Sequence, residues 1–172
     1  MKFLNLLLCL SMFGSLAAAH GGVTAAKPAA AQAGQVFTHE EGGIQFTLPD
    51  GWKSEVEGEQ LTVSPPGGGI GMVFWVPEGD TFEAAVAALE EELGKTVKNA
   101  KFDGEAKEDT HNGMPHAGLS GTGVIEGDEV GFSVDLLMAK KPVIVLTFAS
   151  AENFKKFEAD YMSLVKSIKK VG

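Results

Sequence analysis

The chain contains no arginine; all 14 of its basic residues are lysine. The planar fork that grips phosphate or carboxylate through two parallel hydrogen bonds is therefore missing. With 23 acidic residues against those lysines the formal net charge is -9, a balance that argues against nucleic acid as a partner and against a nucleotide site. Cysteine is almost as scarce. The single Cys9 lies within Leu7-Leu8-Cys9-Leu10, without a small residue before it and too early for lipoprotein processing. Catalytic signatures are missing too: there is no Gly-x-Ser-x-Gly elbow, no His-Glu-x-x-His helix, no Cys-His pair and no dehydrogenase-type glycine motif.

At the start, Met1-Lys2 precedes the apolar run Phe3 to Ala19, which ends in Leu16-Ala17-Ala18-Ala19. One positive charge, a short apolar segment and small residues at its end describe a secretory signal over residues 1–19. The run falls short of the ~20 apolar residues that a membrane helix needs, so no integral span is expected after cleavage. Cys9 leaves with the signal, and the exported chain then has neither disulfide nor thiol chemistry, although its compartment would permit disulfides. Residues 20–35, rich in alanine and glycine, read as a flexible linker. Residues 36–172 suit one domain, with no internal repeat.

Within that domain the stretch Met114 to Ala149 holds three apolar-periodic runs, separated by Glu126-Gly127-Asp128 and Lys140-Lys141-Pro142; it predicts an antiparallel meander. In the middle run Val130, Phe132, Val134, Leu136 and Met138 alternate with Gly131, Ser133 and Asp135, which gives one apolar face and one mixed face. The last run, Val143 to Phe148, leaves no polar face and is expected to be a central strand covered on both sides. Hairpins are expected from Val36–His39 with Ile44–Leu48 and from Trp52–Val56 with Gln60–Ser64, followed by a strand over Ile70–Val76. The Gly67-Gly68-Gly69 run lacks the lysine and helix start of a phosphate cradle and reads as a turn. One covering helix is expected to start at an Asp80 cap and to stop at Gly94; its Glu90-Glu91-Glu92 run reads as a solvated face. Lys95 to Asp109 reads as one exposed edge strand with a loop. The second helix is expected from Ala151 to about Lys169, capped by Ser150, with Phe154, Phe157, Tyr161, Leu164 and Ile168 on its apolar stripe.

Three features together resemble the PsbP-like superfamily: Gly43-Ile-Gln-Phe-Thr-Leu-Pro-Asp-Gly-Trp52-Lys53, the Asn112-Gly113 turn ahead of the meander, and the closing helix with Ser167-Ile168-Lys169. The resemblance spans roughly Phe37 to Lys170. It implies an α+β fold, an α/β/α sandwich with a mostly antiparallel central sheet and two covering helices. It implies binding or assembly roles and carries no shared catalytic residues. DcrB-like bacterial secreted domains are the branch it looks most like.

Candidate ligands for a soft metal ion cluster in Asp109-Thr110-His111-Asn112-Gly113-Met114-Pro115-His116: a carboxylate, two imidazoles and a thioether around one hairpin. Asn112-Gly113 is also a strong two-residue hairpin signal, so a plain turn explains the same segment. His20, the amino terminus if cleavage follows Ala19, opens a His-Gly-Gly sequence able to bind Cu(II). Ser133 and Asp135 share a strand face and, with a histidine, could make a triad, although alternate positions sharing a face are the ordinary surface of a sheet. Trp52 and Trp75 read as core or rim residues. The expectation is a monomeric, non-catalytic exported module of the periplasm or cell envelope, binding a protein or envelope component without a cofactor. A small-ligand or Cu/Zn-binding protein is the alternative, and a hydrolase the third reading.

Overall fold

The computed structural model describes residues 34–57 and 60–172. The signal segment, most of the linker, Cys9 and His20 lie outside the described residues. Two strands, β1 (Val36–His39) and β2 (Ile44–Thr47), form the expected first hairpin. After them come β3 (Lys53–Glu57), β4 (Gln60–Ser64), β5 (Ile70–Trp75) and the helix α1 (Phe82–Thr96). Next are two short strands, β6 (Lys98–Phe102) and β7 (Lys107–His111), then the meander β8 (Met114–Ile125), β9 (Asp128–Met138) and β10 (Pro142–Ala149). The helix α2 (Ala151–Ser167) and the two-residue strand β11 (Lys169–Lys170) follow.

The main sheet is antiparallel in the order β3-β4-β5-β10-β9-β8-β6, with β7 also pairing β8. β10 stands in the middle, as its all-apolar run demands. Its side chains alternate between two cores: Val143 and Val145 enter the one beneath α2, with Phe74, Leu137 and Leu164. Ile144 and Leu146 enter the one beneath α1, with Trp75, Leu89 and Val134. Both tryptophans are buried, Trp52 in the α2 core and Trp75 in the α1 core. A helix on each face of an antiparallel sheet is the layered solution that a strand apolar on both sides requires.

The structure corrects several boundaries. The cap of α1 is Thr81, whose hydroxyl accepts the Ala84 amide, one residue later than the aspartate expected. The helix runs through Gly94 to Thr96, because Leu93 and Val97 both anchor in the α1 core. Its Glu90 and Glu91 are exposed, whereas Glu92 is turned inward. The expected single edge strand is two, β6 and β7, laid along successive parts of β8. Ser150 caps α2 as expected, but the helix ends at Ser167. Beyond it Lys169 and Lys170 leave the helical path to pair with Gln45 and Ile44, making a second sheet β1-β2-β11 that periodicity did not show. Ile168 is thereby buried at the joint between helix and strand.

Candidate functional site

The β7–β8 hairpin turns on Asn112 and Gly113, at φ 48° and 82°. Positive φ at both central residues is the two-residue turn whose twist suits a hairpin, and Asn-Gly is the pair that adopts it most readily. The turn fixes the register: His111 faces Met114, and Asp109 faces His116. On the other side of β8 the turn at Glu126 and Gly127 sets a second register, in which Gly118 faces Asp135. His116 lies two residues from Gly118 on the same face, so Asp135 is its diagonal neighbour.

The imidazole uses both positions. His116 Nδ1 lies 2.6 Å from Asp109 Oδ1, and Nε2 lies 2.9 Å from Asp135 Oδ1. An ionised carboxylate can only accept, so both ring nitrogens must donate, and an imidazole that donates twice is protonated. The surroundings favour that charge: the Asp135 hydrogen bond, ahead of the cost of burial and the help of Asp109, holds the His116 pKa above its ordinary value. Exposure differs across the clasp, with side chains 15% accessible at His116, 20% at Asp135 and 65% at Asp109. The second oxygen of Asp135, Oδ2, is buried and makes no hydrogen bond among the described residues.

Next along β9, Ser133 Oγ is 3.1 Å from Tyr161 Oη of α2. Burial, and then the charge of Asp135, push the Tyr161 pKa up and keep the phenol neutral. The Ser133, Asp135 and histidine set weighed from the sequence is thus only half assembled. Asp135 meets His116, while Ser133 turns to the tyrosine. A doubly donating imidazolium has no lone pair with which to accept a proton or bind a metal ion.

The four hairpin residues considered as metal ligands divide in the same way. Asp109 and His116 are engaged with each other. Met114 is buried in the α2 core. The His111 ring lies 5.9 Å from the His116 ring, centroid to centroid. Among the described residues no group of three or more histidine, cysteine, aspartate or glutamate side chains could hold a metal ion.

Below the hairpin tip an open groove of about 610 Å³ is lined by Val36, Gln45, Thr47, Asn112, Lys166 and Lys169, with Phe46 and Ser167. Its wall is tied together by one side chain. Asn112 Nδ2 donates to Lys166 O at 3.0 Å and to Ile168 O at 2.7 Å, capping carbonyls that the end of α2 leaves unsatisfied. Ser167 Oγ donates to Leu164 O and accepts the Thr47 amide. The floor is firm, because Phe46 stacks on Phe74 with ring centroids 4.4 Å apart. Among the described residues no acidic side chain lines the groove, and Lys166 and Lys169 form no ion pair. Sequence reading gave Asn112 a turn and the lysines an off-stripe position. That they converge follows from β11 folding back onto β2, for which two lysines offer no periodic signal.

No protein-family model matches the sequence, and no curated protein matches it. Solved structures do. The solution structure of cyanobacterial PsbP (CyanoP) from Synechocystis sp. PCC 6803 superposes with a TM-score of 0.58 at 10% identity, covering 87% of this chain and 99% of that one. The chain has a PsbP-like fold. A crystal structure from Bacteroides thetaiotaomicron VPI-5482 matches with a TM-score of 0.51 at 12% identity, covering 80% of this chain and 48% of that one. At these identities the PsbP-like fold is an architecture shared across divergent sequences, and no residue's role follows from it. The helix-sheet-helix layering implied by the sequence resemblance is the layering found. No described helix is long and apolar enough to cross a membrane.

Proposed function

We propose that this chain is an exported, non-catalytic module that binds a protein or envelope component of acidic character through the groove at the end of α2. One contrast carries the reading. The cluster of perturbed side chains is closed on itself, with each His116 nitrogen spent on a carboxylate and Ser133 spent on Tyr161, whereas the groove presents lysines that form no ion pair among the described residues, over an apolar floor. In a chain of net charge -9, a concavity lined by lysine and amide groups without a carboxylate favours an anionic partner. The signal-like Met1 to Ala19 and the linker after it support export and tethering. The groove volume also falls within the range of small-molecule sites, which favours, as a second reading, a small anionic ligand in the same place.

Capture tests it. The exported chain, immobilised and exposed to envelope extract, is expected to retain a salt-sensitive component that the Lys166→Glu, Lys169→Glu double variant fails to retain. Equal retention by both would remove the groove from the reading. A retained component of low molecular mass would promote the second reading.

A further inference from the structure

We infer that the proton on His116 is the pin that holds the β7–β8 hairpin on the sheet, and that its loss on raising the pH frees the hairpin and with it the Asn112 wall of the groove. The hairpin arm β7 is an edge of five residues whose only strand partner among the described residues is β8. Its side chains are exposed apart from half-buried His111, so packing contributes little to its hold. The His116 bridge therefore matters: one ring joins β7 through Asp109 and β9 through Asp135. Once the ring loses a proton, one nitrogen presents a lone pair to a carboxylate oxygen less than 3 Å away, and one of the two contacts becomes repulsive.

Asp109 is the partner that yields. It is exposed and rides on the edge, whereas Asp135 sits on an inner strand with one oxygen already buried. Other groups around the ring do not replace the lost proton. From β7 the other residues on the ring's face are His111, whose ring is a neighbour, and the exposed Lys107, which stands opposite Gly118. From α2 there is Tyr161, whose hydroxyl lies on Ser133. From β10 the residues paired with Asp135 and Ser133 are Val145 and Thr147, which carry no charge. Because the surroundings raise the pKa of His116 above its ordinary value of 6.5, the pin is in place below 6.5 and is withdrawn as pH rises through the raised value. Asn112 at the hairpin tip transmits the change, since its amide holds Lys166 O and Ile168 O only while the tip stays down. The effect on the groove rests on the binding role proposed above; release of the hairpin does not.

The experiment is nuclear magnetic resonance on the full exported chain, titrated from about pH 6 to about pH 9. It follows the His116 ring nitrogens, hydrogen exchange of the Lys107 to His111 amides corrected for intrinsic rate, and the side-chain amide of Asn112. Protection of β7 and of the Asn112 amide is expected to fall at the midpoint of His116 deprotonation. In Asp109→Asn the response is expected to vanish, because a carboxamide can turn to accept from the charged ring or donate to the neutral one. Protection that persists after His116 has lost its proton, or an unchanged response in Asp109→Asn, would overturn the inference; should that variant not fold, the wild-type titration alone decides. Capture at both ends of the titration separates the two ideas. Hairpin release without capture at either pH defeats only the binding role, and retention that falls with the β7 protection supports both.

Discussion

Gly118 stands directly opposite Asp135 in the β8–β9 ladder, and the space where a side chain at 118 would sit is taken by the His116 ring. A Cβ built at 118 would lie 3.1 Å from His116 Cε1 and 3.4 Å from Nε2. The ring cannot step aside without leaving a carboxylate. Alanine in a strand ordinarily gains about 0.5–1 kcal/mol over glycine, but crowding a fixed neighbour costs about 1–3 kcal/mol. Gly118→Ala is therefore expected to be destabilising by about 1 kcal/mol in denaturant titration, and to lower the His116 titration midpoint toward 6.5. A stabilised variant with an unmoved midpoint would show that the ring has room.

Two histidines are expected to set opposite flanks of the pH–stability curve. His39 Nδ1 accepts the Gly42 amide and so needs a neutral ring, and burial, the largest influence, holds its pKa below 6.5. A folded pKa below the unfolded one leaves the contribution present above 6.5 and lost as pH falls toward the folded value. For His116, raised above 6.5, the contribution is complete below 6.5 and is lost as pH rises through the folded value. Melting curves across pH should therefore fall on both sides. His116→Gln should flatten the alkaline flank alone, and His39→Gln the acid-side loss through the His39 range alone.

Asn112→Gly keeps the left-handed turn but deletes the two hydrogen bonds to α2. At about 0.5–1.5 kcal/mol for each, a loss of about 1–3 kcal/mol is expected. Asn112→Ala should cost more, because φ 48° burdens a residue with a Cβ. Equal stability of the glycine variant and the wild type would mean that water replaces the asparagine amide without penalty.

Leu146, 2% exposed on the central strand in the α1 core, should cost about 2–5 kcal/mol when cut to alanine. Val56, 70% exposed on edge strand β3, should change stability by about 0.5 kcal/mol or less. Urea midpoints for the pair test the layering directly, and comparable losses at both sites would contradict it.

Chelation should leave the melting temperature alone. A site filled at about 100 times its dissociation constant would add roughly 2.7 kcal/mol, which a melting curve resolves. Curves with zinc, copper and EDTA are expected to coincide for the wild type and for His111→Ala with His116→Ala, each compared with itself. A metal-dependent rise confined to the wild type would mean that a metal ion displaces Asp109 or Asp135 from the ring.

Much of this could be read along the chain because the meander is built from short turns. The Asn112-Gly113 pair and the Glu126-Gly127 pair each fix a register by counting, so Asp109 opposite His116 and Gly118 opposite Asp135 were already implicit. The unbroken apolar run of β10 announced its central place. Contacts made by helix ends were harder to see. Where α1 stops is decided by Leu93 and Val97 reaching the core, which outweighs Gly94 between the two. Where α2 stops is decided by a pairing of Lys169 with Gln45, a contact between distant residues with no local signature. The groove belongs to that second kind, and so its lysines looked like ordinary surface.

That late pairing also sets an order of events for a chain emerging from the ribosome. Thr47 donates its backbone amide to Ser167, 120 positions later, and β2 completes its second edge only when Lys169 and Lys170 arrive. Closing so long a loop is entropically slow and cannot begin while the later residues are still being made. Until then Ile44, Phe46 and Leu48 lack Leu164 and Ile168 above them. The core beneath α2 therefore cannot close before residues 164–170 have been made, whereas the core beneath α1 draws on nothing later than Leu146 and its partly buried neighbour Phe148.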